Sequence, residues 1–83
     1  MNTKDIKHKI TTVVLNLIPN LNEEEISEED DIFSLGLDSI NAMSLVLSLQ
    51  EAFNITFEAK DIDVENFRTV ANIANLMARK SSL

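Results

Sequence analysis

The sequence contains no cysteine, tryptophan or tyrosine, and only one histidine, one proline and one glycine in 83 residues. The absence of cysteine excludes disulfide bridges, thiolate metal sites and a thiol nucleophile, and a single histidine cannot form a cluster of histidine ligands. No apolar run approaches the roughly 18 residues of a membrane span, and residues 1–4 show no signal segment. Any thiol chemistry must therefore come from a group added to the chain.

Positive charge is also scarce. The sequence has 7 lysines and arginines but 14 acidic residues, so its net charge is −7. Such a surface repels nucleic acid and anionic membranes and favours proteins with basic patches. We therefore expect protein partners, no nucleic acid and no membrane. The lack of a signal segment and of a membrane span leads us to expect a cytoplasmic location. The length predicts a single domain over residues 1–83 with its core at about 3–79, too small for a large enclosed substrate cavity. We expect it to be a monomer.

Hydrophobic periodicity predicts an all-α fold, a small four-helix bundle with three main helices, one short helix and a long first loop. The first helix spans residues 4–18, with Thr3 as its N-cap, and the second spans 39–53. A weakly specified short helix lies within 59–64. Thr69 is the expected N-cap of the last helix, whose apolar stripe is Val70, Ile73, Ala74 and Met77. The acidic loop between the first two helices carries scattered apolar anchors.

The second helix is apolar around most of its circumference, which predicts a central position in the bundle. Met43 is interpreted as an adaptable core filler. One narrow polar stripe remains, with Ile40 and Leu47 at its margin, where core packing is the default interpretation and partner contact the alternative. The candidate partner-binding residues are Ile40, Asn41, Ser44, Leu47, Ser48 and Glu51.

The only glycine lies three residues before a serine, where the acidic loop meets the second helix. Gly36 permits a sharp turn, Leu37 is an apolar anchor, and Asp38 is the expected N-cap. Ser39 would then lie in the first helical turn with its hydroxyl not needed for capping, beside the partly positive helix end. We expect the function of the protein at this junction.

Catalysis and metal binding find little support. A serine hydrolase needs a histidine oriented by an acid, but His8 lies on the polar side of the first helix, and no glycines flank the serine as in a nucleophile elbow. Asp38 and Ser39 are helix neighbours and do not face each other. The acidic loop does not match the ligand register of a calcium loop. We therefore expect no catalytic residues, no metal site and no enzyme.

Two segments resemble the carrier proteins that bear phosphopantetheine, the acyl and peptidyl carrier protein family. The first is Asp31-Ile32-Phe33-Ser34-Leu35-Gly36-Leu37-Asp38-Ser39-Ile40, and the second is Glu65-Asn66-Phe67-Arg68-Thr69-Val70. The resemblance implies that a phosphopantetheinyl transferase attaches 4′-phosphopantetheine from coenzyme A to Ser39, with Asp38, Gly36 and Leu37 around it. The arm would carry acyl, aminoacyl or polyketide groups as thioesters, loaded by ligases and passed to synthases of fatty acid, polyketide or nonribosomal peptide biosynthesis.

The sequence departs from the fatty-acid-synthesis members of that family in its second helix. Those relatives usually carry several acidic residues there, whereas this helix has Glu51 alone besides Asp38 at its start. We therefore expect docking that depends less on salt. The alternative hypothesis is an unmodified helical adaptor that binds a partner protein through the acidic loop and the second helix.

Overall fold

The computed structural model describes residues 2–81, and over this range its regular elements are all helical. The α-helices are α1 (Thr3–Leu17), α2 (Ser39–Phe53) and α3 (Val70–Ser81). Short 3₁₀ turns lie at Glu23–Glu25, Ala59–Asp61 and Val64–Phe67. The predicted all-α class and long first loop are confirmed, and the expected short fourth helix takes the form of the two 3₁₀ turns between α2 and α3.

Polar side chains cap the start of each α-helix. The carboxylate of Asp38 accepts the Asn41 amide at 2.8 Å, and the hydroxyl of Thr69 accepts the Asn72 amide at 3.0 Å, as predicted. The prediction of Thr3 as the cap of α1 is wrong by one position. The side chain of Asn2 accepts the Asp5 amide at 2.9 Å, and asparagine is a strong N-cap residue, so Thr3 becomes the first helical residue.

The core forms where α1 packs against both α2 and α3. The predicted stripe of α3 is buried, and Leu76, which the sequence did not single out, is buried with it. The prediction that Met43 fills the core is wrong, because this residue is 54 % exposed. The fully buried large side chains are Ile10, Val14, Ile32, Leu45, Leu49, Val70, Ile73 and Leu76.

The long first loop is fastened to the start of α3. The Ile32 amide donates to the carbonyl of Arg68 at 2.8 Å, and the Ala71 amide donates to the carbonyl of Glu28 at 2.9 Å. The Arg68 guanidinium also pairs with Glu65 at 2.8 Å and Asp31 at 3.1 Å, and these carboxylates raise the pKa of Arg68. These contacts hold the part of the loop that precedes Gly36 against the start of α3.

An ion pair joins the 59–61 turn to the end of α3. Lys80 Nζ lies 2.7 Å from a carboxylate oxygen of Asp61 and 3.6 Å from one of Glu58. The hydrogen bond from Lys80 lowers the pKa of Asp61 below its ordinary value of 3.8, and the backbone amide of Glu58 lowers it further. The same bond raises the pKa of Lys80 above 10.5. The contact holds the segment that precedes Ile62 in place.

We predict that Lys80→Met lowers the thermal midpoint at pH 7, with an effect that fades at both extremes of pH. Because folding lowers the pKa of Asp61, the ionised carboxylate stabilises the folded protein above pH 3.8. This stabilisation is lost as the pH falls through the lower pKa of the folded state. Because folding raises the pKa of Lys80, the protonated amine stabilises the folded protein below pH 10.5. This stabilisation is lost as the pH rises through the higher pKa of the folded state. Thermal melts across pH measure the difference from wild type.

Lys60→Met is the matched control for this prediction. Lys60 lies 3.7 Å from Glu58, but its side chain is largely exposed, and exposed pairs contribute little. Its melts should follow those of the wild type throughout. An equal loss from both substitutions, or a Lys80→Met loss that persists unchanged in strong acid, contradicts the assignment.

Candidate functional site

Gly36 forms the turn that leads into α2, as predicted. Its φ is +124°, a region that side-chain-bearing residues rarely adopt. A Cβ there would approach the Ile18 side chain at 3.4 Å, an ordinary contact, so the backbone conformation rather than lack of space requires glycine. Leu37 follows, almost fully buried, and its amide donates to the carbonyl of Ile32 at 3.3 Å. These two residues anchor the chain just before Asp38.

Ser39 is exposed and is the first residue of α2. Asp38 caps the helix through the Asn41 amide, while the amides of Ser39 and Ile40 belong to the first turn and have no intrahelical acceptor. Within residues 2–81 the Ser39 hydroxyl makes no hydrogen bond. The site therefore presents a free hydroxyl at the positive end of a helix, where a negatively charged substituent is favoured.

A small apolar cavity, here called the Ser39 cavity, opens beside this serine. It has a volume of about 210 Å³ and lies between α2 and the segment 62–67. Sequence reasoning missed the contribution of Ile62 and Val64, because their short segment shows no helical periodicity. The lining residues are Phe33, Ser39, Ala42, Met43, Val46, Ile62, Asp63, Val64 and Phe67.

The predicted partner-binding residues all lie on α2 but differ in their exposure. Ile40 is 79 % exposed and Leu47 is 58 % exposed, and with Met43 they form one outward stripe of α2, here called the apolar stripe. Ser48 and Glu51 also line a groove of about 310 Å³ between α2 and α1. Asn41 and Ser44 are half-buried. Between Asp38 and Glu51, α2 carries no charged side chain.

Candidate groups for catalysis or metal binding are not assembled at this site. Within residues 2–81, no three histidine, cysteine or acidic side chains lie close enough together to hold a metal ion. His8 Nδ1 lies 3.5 Å from Glu23, on the exposed side of α1. None of the helices in this described range has both the length and the apolar character needed to cross a membrane.

Comparison with known proteins agrees with this geometry. The family described as "Phosphopantetheine attachment site" matches residues 9–77. The chain is 31 % identical to an acyl carrier protein of Syntrophobacter fumaroxidans over 83 residues, which cover 99 % of each protein. It is 33 % identical over 67 residues to a D-alanyl carrier protein of Streptococcus suis, covering 77 % of this chain and 85 % of that protein.

A solved structure shows the same fold. It contains a glycylated carrier protein in complex with a glycine:[carrier protein] ligase of Bradyrhizobium japonicum, and the match has a TM-score of 0.78 at 22 % identity, covering 87 % of this chain and 97 % of that chain.

The helical bundle and the relatives together define a carrier protein. The chain belongs to the phosphopantetheine attachment-site family of acyl carrier proteins. It carries its cargo on a covalent 4′-phosphopantetheine arm and does not itself catalyse a reaction.

Proposed function

We propose that Ser39 is the residue that bears the 4′-phosphopantetheine arm. The observation that carries this proposal is its exposed hydroxyl, free of hydrogen bonds within residues 2–81, in the first turn of α2. The Asp38 side chain caps the helix by accepting a hydrogen bond from the Asn41 amide. The backbone amide of Ser39 therefore stays available to donate a hydrogen bond to a phosphodiester on Ser39. Other exposed serines, such as Ser34, lie outside a helix start.

The neighbours of Ser39 hold it in place. Gly36 supplies the turn and Leu37 the buried anchor, so that Asp38 can cap α2 with Ser39 at the surface. In the attachment reaction, the Ser39 oxygen forms a bond to the phosphorus adjoining pantetheine in coenzyme A, and the bond from that phosphorus to the bridging pyrophosphate oxygen breaks. Adenosine 3′,5′-bisphosphate departs with the bridging oxygen, and the hydroxyl proton of Ser39 passes to a base of the transferase or to water. A separate phosphopantetheinyl transferase catalyses this step. The attached arm supplies the thiol that the cysteine-free chain lacks.

We propose that the partners are the transferase, an acyl- or aminoacyl-loading ligase, and synthases that use the loaded arm. The relatives support this range, because one is a D-alanyl carrier and the structural match was solved with a glycine ligase. Residues 3–79 act as one carrier domain, since their core contains side chains from all three α-helices. We propose that this domain is a monomer. The cytoplasm is the proposed location, because the modification consumes coenzyme A.

We propose that partners dock on α2 beside Ser39, with Ile40 and Leu47 as the main contacts. Both side chains are large, apolar and exposed, and they lie on the helix that begins at Ser39. The polar candidates border Ile40 and Leu47, and only one of the four is charged. They are Asn41, Ser44, Ser48 and Glu51. Apolar contact should therefore outweigh charge in docking.

Intact mass spectrometry tests the carrier proposal against the unmodified adaptor. The protein is incubated with coenzyme A, magnesium and a broad-specificity phosphopantetheinyl transferase, and a sample without the transferase serves as the control. A carrier gains the mass of one arm only in the complete reaction. An adaptor gains no mass while its circular dichroism remains that of a helical protein, and this result overturns the proposal.

A further inference from the structure

The Ser39 cavity has a size that limits what can occupy it. Its volume of about 210 Å³ lies below the roughly 300–1,000 Å³ of pockets that enclose whole small-molecule ligands. This volume suits a branched group of a few carbons better than a complete arm or a long acyl chain. Apart from Ser39 and Asp63, its lining is apolar, so the group that it suits is a hydrocarbon.

The chemistry of 4′-phosphopantetheine offers one matching group close to its point of attachment. The arm has a single branched hydrocarbon segment, a carbon with two methyl groups, separated from the serine oxygen only by the phosphate and one methylene. The rest of the arm consists of a hydroxyl, two amides and short linkers, and the thiol lies at the far end. Because Ser39 itself lines the cavity, the dimethyl segment is the apolar part of the arm nearest to it.

We propose that the Ser39 cavity binds the dimethyl segment of the arm, with Met43, Val46 and Ile62 as its contacts. The inference rests on the proposed attachment at Ser39. It accounts for the exposure of Met43 and Ile62, since in the modified protein the arm covers part of both side chains. The cavity then orients the first part of the arm along α2, while the thiol and its cargo remain outside.

The test uses the modified protein prepared with coenzyme A that is ¹³C-labelled in the two methyl groups. Isotope-filtered nuclear Overhauser spectra should show contacts from these methyls to the side chains of Met43 and Ile62. The two methyl resonances should also separate more widely than in free coenzyme A. Methyl shifts equal to those of free coenzyme A, without contacts, overturn the inference, as do contacts to the cavity from the methylenes beside the thiol.

Two variants of similar exposure provide a matched comparison. Met43 and Leu47 are both large apolar residues on the outward face of α2, but only Met43 lines the cavity. After complete modification, Met43→Ala should bring the methyl separation towards the value of free coenzyme A, whereas Leu47→Ala should leave it unchanged. Equal effects overturn the inference.

The outcomes for the cavity and for attachment are separable. A protein that gains no mass with the transferase defeats the attachment proposal itself. A modified protein whose methyls behave as in free coenzyme A defeats only the cavity assignment. A butyryl-loaded form gives the last check, because displacement of the methyl contacts by contacts from the butyryl chain shows that the cavity is a cargo site instead.

Discussion

Ser39→Ala is expected to abolish thiol acquisition completely while leaving the fold intact. The chain contains no cysteine, so the unmodified protein has no thiol and each attached arm adds one. After the transferase reaction and removal of free coenzyme A, titration with a thiol reagent should give one equivalent for wild type and none for the variant. Ser39 is exposed and its hydroxyl does not cap α2, so the helical circular dichroism and the thermal midpoint should change little.

Ser34→Ala is the matched control for this prediction. Ser34 is also exposed and lies only five positions earlier, in the loop before Gly36. This variant should acquire one thiol equivalent like the wild type. A thiol equivalent that persists in Ser39→Ala and disappears in Ser34→Ala would move the attachment point into the loop.

Leu47→Ala is expected to raise the KM of the transferase for this carrier about tenfold, which corresponds to roughly 1.4 kcal/mol for an apolar side chain buried on docking. Leu47 is 58 % exposed on the apolar stripe and makes little contribution to the core, so the loss should appear in docking rather than in stability. Initial rates over a range of carrier concentrations measure the effect. The thermal midpoint shows whether the variant is folded.

Glu51→Ala and ionic strength separate apolar contact from charge. Glu51 is exposed at the border of the docking face, and a charge at the rim of an interface contributes little. Its removal should change the KM of the transferase by less than about twofold. Raising the salt concentration from about 0.05 to 0.5 M, which shortens the screening length to a few ångströms, should also change this KM by less than about twofold. A steep salt dependence together with a normal KM for Leu47→Ala contradicts apolar docking.

Local signals in the sequence were enough to predict the helix and the turn that position Ser39. The predicted range of the second helix, 39–53, is the observed one, since Asp38 is a strong cap and the apolar pattern continues to Phe53. The turn at Gly36 and the buried stripe of α3 were also predicted, because each depends on residues adjacent in sequence or spaced along one helix.

Features that depend on neighbours distant in sequence were not predictable. An almost wholly apolar helix does not reveal which side chains face outward. Leu45, Val46 and Leu49 of α2 are buried, whereas Met43 is exposed. The Ser39 cavity requires Ile62 and Val64, which the fold brings beside α2 from a segment without periodicity. The Lys80–Asp61 pair likewise joins residues 19 positions apart.

The most direct test of the account is the location of the arm on the modified protein. Proteolysis followed by fragmentation mass spectrometry assigns the added phosphopantetheine to one residue, and the characteristic loss of the pantetheine group identifies the fragment that carries it. Every modified fragment should place the arm on Ser39. An arm found on Ser34, Ser44 or Ser48, or on no residue of the intact protein, contradicts it.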